Sequence, residues 1–412
     1  MTTAPARART ARAEELRARV LDAIDERAGE LLALSHAIHA DPELSYQEHA
    51  AAALVARAAE NAGFTTEVGA YGLATAVEAV TGDGELTVAV CAEYDALPDI
   101  GHACGHNMIA AMGVGASLAL AQVTEELGLR VKLLGTPAEE HGGGKVDLLL
   151  AGAWEDVAFS LMAHGSTGPD APCDAMRSTA VERLEIEYTG RAAHAAGAPT
   201  KGVNAGAAAT IGLTALGLLR QQLSPEVNVN AFVSHGGEAT NIIPERAVVQ
   251  LEVRAYDLDE WRDLRRRVLA CFEAGAVATG CTWTHRRTEH PYAPLAPHAG
   301  LAELWNRNLT GLGRVLDPGH TVGGGSTDMG NVSQVVPSIH PLVSVLGHEA
   351  VGHHADFTAA AASPEADAAV LDGAKALALT VVDAALDEDL RAELLRLRNA
   401  RPEGATRTTL DA

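Results

Sequence analysis

Groups able to bind metal and move protons gather in a few short stretches of this 412-residue chain. One stretch carries Glu93 and Asp95 and continues to Gly101-His102-Ala103-Cys104-Gly105-His106-Asn107. A second holds the adjacent pair Glu139 and Glu140 before His141-Gly142-Gly143-Gly144, and a third contributes His164. Thiolate, imidazole and carboxylate together form the mixed donor set that suits zinc, with manganese, cobalt or nickel as further candidates. Cys104 and His106 stand two apart, so on an extended loop they share a side and could face one ion. Two divalent ions roughly 3.5 to 4 Å apart can hold a hydroxide between them and polarise a carbonyl. Vicinal glutamates serve that chemistry, because chain neighbours point in different directions: one can bind metal while the other takes a proton from water.

Each residue taken singly has a plainer role. A lone cysteine is usually a small buried hydrophobe and a lone histidine a hydrogen-bonded structural residue, while two adjacent glutamates are by default solvated. Their common position changes this weighing. Glu93 and Asp95 follow the apolar run Leu86 to Ala92, Glu139 and Glu140 follow Val131 to Leu134, and His164 follows Ala158 to Met162. In open parallel sheets ligands bind beyond the carboxyl ends of strands, so metal-type groups at several strand ends point to one shared site.

The elements that must position them alternate. The first dozen residues are expected to be disordered; an amphipathic helical pattern starts near Ala13, and Ala50 to Ala62 reads as a helix closed by Gly63. Strands at Ala74 to Val80 and at the three runs above alternate with helices at Met108 to Glu126 and Val146 to Ala151, which predicts a largely parallel sheet covered on both faces. From about Val181 the order becomes β-α-β-β-α-β: Arg183 to Tyr188, helix Val203 to Leu219, Val227 to Val233, Ala247 to Ala255, helix Leu258 to Thr279 capped by Asp257 or Asp259, and Cys281 to His285. After a proline-rich hinge at Pro291 to Pro297, Leu301 to Thr310, Val343 to Leu346 and Ser363 to Leu386 can rejoin the first sheet. The expected architecture is therefore α/β: a mostly parallel-sheet domain over 1–180 and 292–412, interrupted by a ferredoxin-like unit over 181–291.

The chain has 31 Lys and Arg against 54 Asp and Glu, a formal charge of −23. That balance repels phosphate backbones and anionic headgroups, so no nucleic-acid partner and no membrane docking are expected. The uncharged run Gly202 to Leu219 reaches spanning length, but Asn204, its threonines and its glycines favour burial in a soluble domain. Five widely spaced cysteines and the lack of an apolar leader at the N-terminus fit a reduced, cytoplasmic setting.

Five segments together resemble a known family: AEYDALPDIGHACGHN from Ala92, GTPAEEHGGGK from Gly135, TGRAAHAAGAP from Thr189, ATNIIPERA from Ala239 and GGGSTDMGNVS from Gly323. They are similar to the co-catalytic metallopeptidase family M20, in its amidohydrolase-type subfamily. Asn107 and the TDMGNVS segment resemble the branch of aminobenzoyl-glutamate hydrolases and Xaa-Arg dipeptidases. The resemblance implies a dinuclear metallohydrolase domain with a ferredoxin-like dimerisation or lid domain, and two divalent ions per subunit. It implies Cys104, His106, Glu140, His164 and His353 as ligands, with His354 adjoining the last, and Glu139 as general base. Asp95 falls where the family has an acidic residue bracing a ligand, and Asn107 stands where many relatives have Asp. His194 matches a histidine that stabilises the oxyanion, usually of the partner subunit's site. Asn241 and Arg254 match positions holding the substrate carboxylate, and Gly323, Gly324 and Gly325 offer backbone N–H groups to the same anion. For Arg254 a strand-end salt bridge is the plainer alternative.

The function that follows is metal-dependent cleavage of the amide bond in a dipeptide or N-acyl amino acid bearing a free carboxylate, by a homodimer. An aminobenzoyl-glutamate-type or other aryl-acyl amino acid hydrolase is the alternative, although aromatics at 4% leave few candidates for a stacking pocket. A metal-dependent binding protein without turnover would have no use for Glu139. A zinc deaminase needs P-C-x-x-C and a serine hydrolase of the elbow type needs G-x-S-x-G; the chain has neither.

Overall fold

The computed structural model describes residues 4–410. The chain divides into two compact units, one comprising residues up to Arg177 together with Leu295–Gly323 and the chain from Thr327 onward, the other Ser178–Pro294 with Gly324–Ser326. In chain order the first unit supplies β1 (Thr65–Val68), β2 (Val77–Thr81), β3 (Leu86–Glu93), β4 (Leu129–Thr136), β5 (Phe159–Leu161), β6 (His164–Thr167) and β7 (Met176–Arg177). The second unit then contributes β8 (Ala180–Thr189), β9 (Asn228–His235), β10 (Arg246–Ala255) and β11 (Thr282–Arg287). The first unit is completed by β12 (Val322–Gly323), β13 (Ser338–Ile339) and β14 (Leu342–Val345).

The main sheet of the first unit has the order β1-β2-β4-β3-β5-β13. β4, β3, β5 and β13 run parallel, and β3 is buried along its whole length, as a strand covered on both faces must be. Each fully buried Val or Leu there contributes about 1.5–3 kcal/mol. The expectation of a largely parallel sheet is corrected at one edge, where β1 pairs antiparallel with β2 and β2 antiparallel with β4. Only a short connection separates β1 from β2, too short for the crossover that a parallel pair requires. Two parallel two-stranded ribbons, β6 with β14 and β7 with β12, flank this sheet.

Helix His106–Leu120 is buried at every position. It packs on β3 and against helices Ala4–Glu26, Ala28–Ala40 and Pro364–Leu386, which explains an apolar composition all round. The stretch His106–Leu127 is apolar and long enough to cross a membrane, but most of it is buried inside this unit. The expected single helix Met108 to Glu126 is interrupted by a 3-10 turn at Ala121–Val123. At the N-terminus the first helix already runs from Ala4, within the stretch expected to be disordered and ahead of the expected start near Ala13. Alternating Ala and Arg there are strong helix formers; Met1–Thr3 lie outside the described residues.

The second unit is a four-stranded antiparallel sheet of order β11-β8-β10-β9, carrying helices Ala205–Leu219 and Leu258–Thr279 in the ferredoxin-like order. Asp257 caps the second helix by accepting from the Asp259 and Glu260 amides at 2.9 Å. The two helices approach closely at Gly275, where a Cβ would lie 2.3 Å from the Ala208 carbonyl oxygen. The run Gly202 to Leu219 is not buried throughout as expected: its helix covers one face through Ala205, Ala208, Ala209, Gly212 and Leu216, while Ile211 and Leu218 stay exposed. Phe232 and Val233 on the edge strand β9 are exposed as well.

Candidate metal centre

The parallel strands β3, β4 and β5 end at one edge of the first unit, and the loops leaving them carry the expected residues. Cys104 lies on the loop before helix His106–Leu120, and its Sγ is 3.4 Å from Nε2 of His164. His106 occupies the first turn of that helix and is fully buried. The chain turns toward Glu139 through Ala138, whose φ of +60° is costly for a residue with a Cβ. Glu48 holds that turn by accepting from the Ala138 amide at 2.9 Å. Beyond it Gly144 cannot carry a side chain, since a Cβ would meet the Pro137 carbonyl oxygen at 1.9 Å. His353 also has a positive φ, +64°, and its amide donates to the Ala103 carbonyl at 2.8 Å, tying it to the Cys104 loop.

These side chains form overlapping sets. Ligand atoms of Cys104, His106 and His164 lie within 4.8 Å of one another, and so do those of Cys104, Glu140 and His353. Cys104 belongs to both sets. His354 is in neither. The His353 Nε2 is 3.5 Å from one oxygen of Glu140, and the other Glu140 oxygen is 3.8 Å from His106 Nε2. A third set joins Glu93, His106 and Glu139.

Asp95 braces two of these residues together. Fully buried, it accepts from His106 Nδ1 at 2.9 Å on one oxygen, and on the other from the Glu140 amide at 2.9 Å and the Ser45 hydroxyl at 2.8 Å. Burial opposes its charge, yet His106 and these donors hold its carboxyl down at about 2. Although burial opposes it, Asp95 raises His106 well above the usual imidazole range, so the ring also holds a proton on Nε2, the atom facing the site, which a bound cation would displace. His164 is also held through Nδ1, which donates to the Gly165 carbonyl at 2.6 Å. Burial and the neighbouring His106 lower His164 to about 4, which keeps it neutral, the form that ligates metal.

The site fits a cation on the chemistry of its donors. His106 Nε2, Glu140 Oε1 and Glu93 Oε2 are buried without a hydrogen-bond partner among the described residues. Burial first, then the carboxylates of Glu93 and Glu140, push Glu139 well above the usual range, and burial likewise raises Glu140. Burial and Glu140 push the Cys104 thiol up. A bound divalent ion reverses these penalties, since it neutralises the carboxylates and deprotonates a coordinating thiol.

The remaining expected residues lie elsewhere. His194 is exposed on the second unit; its Nδ1 accepts from the Gly197 amide at 3.0 Å, so the neutral ring carries its proton on Nε2 and can donate there. Asn241 is exposed, with its carbonyl accepting from the Ala195 amide. Arg254 is half-buried and its fork is engaged by Glu252, Nε at 2.7 Å and Nη2 at 3.1 Å, with Nη1 on the Ser326 hydroxyl at 3.0 Å. This is the strand-end salt bridge that the sequence also allowed. Gly323 pairs with Arg177 in the β12–β7 ribbon, Gly324 has φ +94°, and Gly325 accepts from the Thr179 amide at 2.8 Å. Asn107 is buried, its amide donating to the Ser35 hydroxyl and the Ala361 carbonyl, both at 2.9 Å.

Residues 182–279 match the family model described as a peptidase dimerisation domain. The chain is similar to the Xaa-Arg dipeptidase of Mus musculus, 40% identical over 396 residues that cover 92% of this chain and 91% of the mouse protein. It is also similar to one component of the p-aminobenzoyl-glutamate hydrolase of Escherichia coli, 28% identical over 58% of this chain and 54% of that protein. A solved structure from Bacillus subtilis, described as a dinuclear metal binding peptidase from the M20 family, shares the fold with a TM-score of 0.66 at 22% identity, over 87% of this chain and 99% of that one.

Proposed function

The chain belongs to the M20 metallopeptidase family, in its amidohydrolase branch, and is a metal-dependent hydrolase of peptide or amide bonds; we propose that its substrates are dipeptides with a free carboxylate and a C-terminal arginine or similar basic residue. The likeness to an Xaa-Arg dipeptidase over nearly the whole of both chains supports the dipeptide, and the formal charge of −23 is compatible with a cationic substrate. The observation that carries the reading is the pair of donor sets sharing Cys104, with Glu139 beside them.

In this reading Cys104, His106 and His164 hold one ion, and Cys104, Glu140 and His353 the other, zinc or manganese being preferred on donor chemistry. When bound, the ions supply Lewis acidity to the scissile carbonyl and to water. Glu139 takes the proton of the attacking water on a carboxylate oxygen and returns it to the leaving amine nitrogen. Its buried, carboxylate-rich surroundings raise its proton affinity toward that task. Asp95 keeps His106 oriented and in the ligating tautomer. His194 donates from Nε2 to the developing oxyanion, Asn241 and Arg254 receive the substrate carboxylate, and the amides of Gly323, Gly324 and Gly325 assist. Arg254 keeps Glu252 as its standing partner, so substrate binding exchanges one carboxylate for another. Apolar Phe232, Val233, Ile211 and Leu218, exposed on the second unit, support a homodimer formed through that unit, in a cytoplasmic setting consistent with five free cysteines.

The test is to incubate the purified protein with manganese or zinc and a panel of Xaa-Arg, Xaa-Lys and neutral dipeptides, N-acyl amino acids and aminobenzoyl-glutamate, and to measure released amines. Release is expected foremost from Xaa-Arg peptides. Preference for aminobenzoyl-glutamate would favour the aryl-acyl reading that the Escherichia coli relative also supports, and no release from any member would refute the hydrolase.

A further inference from the structure

Beneath the candidate ligands lies a network of charges that the reaction as described does not use. The Lys145 ammonium, fully buried, donates to Oε1 of Glu93 and, at 2.8 Å, to Oδ1 of Asp328; the Lys145 amide donates to the other Asp328 oxygen at 2.8 Å. All three side chains have zero exposure. Such a network is weak evidence for stability, because desolvating three charges costs about as much as their attraction returns. A geometric role is the better account, and the second oxygen of Glu93 supplies one. Glu93 Oε2 is buried with no hydrogen-bond partner, lies 3.6 Å from His106 Nε2, itself without one, and falls with it and Glu139 within one ligand-sized cluster.

We propose that Glu93 presents Oε2 to the ion held by His106, and that Lys145 and Asp328 are positioning residues that fix its other oxygen. This rests on the metal centre assigned above. The ammonium occupies Oε1 and thereby turns Oε2 toward the site. Asp328 holds the ammonium from the far side and, through the amide of Lys145, the start of helix Gly144–Ala151, which follows the loop carrying Glu139. The network thus sets the distance between a donor at the end of β3 and the base beyond the end of β4.

The test is a titration of the metal-free full-length protein with cobalt(II), read by visible d–d absorption and by bound metal after equilibrium dialysis, for the wild type and for Glu93→Gln and Asp328→Asn. Glu93→Gln keeps the side chain's shape and the Lys145–Asp328 pair. The expected result is that the wild type binds two ions, while Glu93→Gln binds one of them about 10- to 100-fold more weakly, as loss of a supporting carboxylate does, with an altered absorption band and the other ion unchanged. Asp328→Asn should show a smaller weakening of the same ion. If both variants bind both ions with wild-type affinity and spectrum, the proposal is overturned. If the wild type itself binds no cobalt, it is the metal centre that fails. Circular dichroism identifies a variant that has not folded, and the other variant then decides.

Discussion

Asp95→Asn tests how the centre is built. Aspartate offers acceptors on both oxygens, whereas asparagine offers one acceptor and one NH2 donor. If the amide nitrogen replaces the oxygen facing His106 Nδ1, the ring must present a lone pair there and carry its proton on Nε2, the atom needed by the ion. If it replaces the other oxygen, it confronts the Glu140 amide, donor against donor, and a peptide N–H cannot turn round as the Ser45 hydroxyl can. Either way one hydrogen bond to a charged group is lost inside the protein, worth about 1.5–3 kcal/mol. At about 1.36 kcal/mol per factor of ten, metal retention should fall roughly ten- to a hundred-fold. Equilibrium dialysis against buffered zinc measures this directly, and kcat/KM should drop at limiting metal and recover in part at saturating metal. An Asp95→Asn protein with wild-type metal affinity and wild-type kcat/KM would refute the idea that this carboxylate sets the tautomer of His106 and the place of Glu140.

Glu139→Gln should retain both ions but lose about 10²- to 10⁴-fold in kcat, checked by turnover beside metal analysis; full activity would remove Glu139 as the base. Burial holds the Glu48 carboxyl up at about 7 against an ordinary 4.5, so the folded state binds this proton more tightly and stability falls as pH rises through that window, by up to about 3 kcal/mol. Glu48→Gln keeps an acceptor for the Tyr46 and Ala138 amides, and its urea unfolding at pH 5 and pH 8 should show that much less loss than the wild type; parallel profiles would refute it. Phe232→Glu on edge strand β9 should shift the protein toward monomer in light scattering, and an unchanged dimer would place the interface elsewhere.

What could be read from the sequence was local or periodic. The runs that became β3, β4 and β5 are apolar at successive positions because both faces are covered, and that pattern needs no tertiary knowledge. Cys104 and His106 declared themselves by residue type and spacing. The Glu93–Lys145–Asp328 network did not, since its members are 52 and 183 positions from Lys145 and only the folded sheet joins them; Lys145 and Asp328 each lay inside a segment quoted for other residues. The turns at Ala138 and His353 were equally hidden, because a positive φ is signalled by glycine and neither position has one. Arg254 was the reverse case: residues two apart on a strand share a face, so its pairing with Glu252 was legible in the alternation of β10.

The second unit interrupts the first between β7 and β12, and this imposes an order on biosynthesis. Strand β13, which closes the main sheet beside β5, emerges from the ribosome more than a hundred residues after its partner. Until then β5 presents an open edge, the kind of surface that recruits wrong partners. The insert is nearly continuous in sequence and completes its own sheet first. His353, on the late segment, arrives last of the proposed ligands, so the centre reaches its full donor set only after the insert has been made.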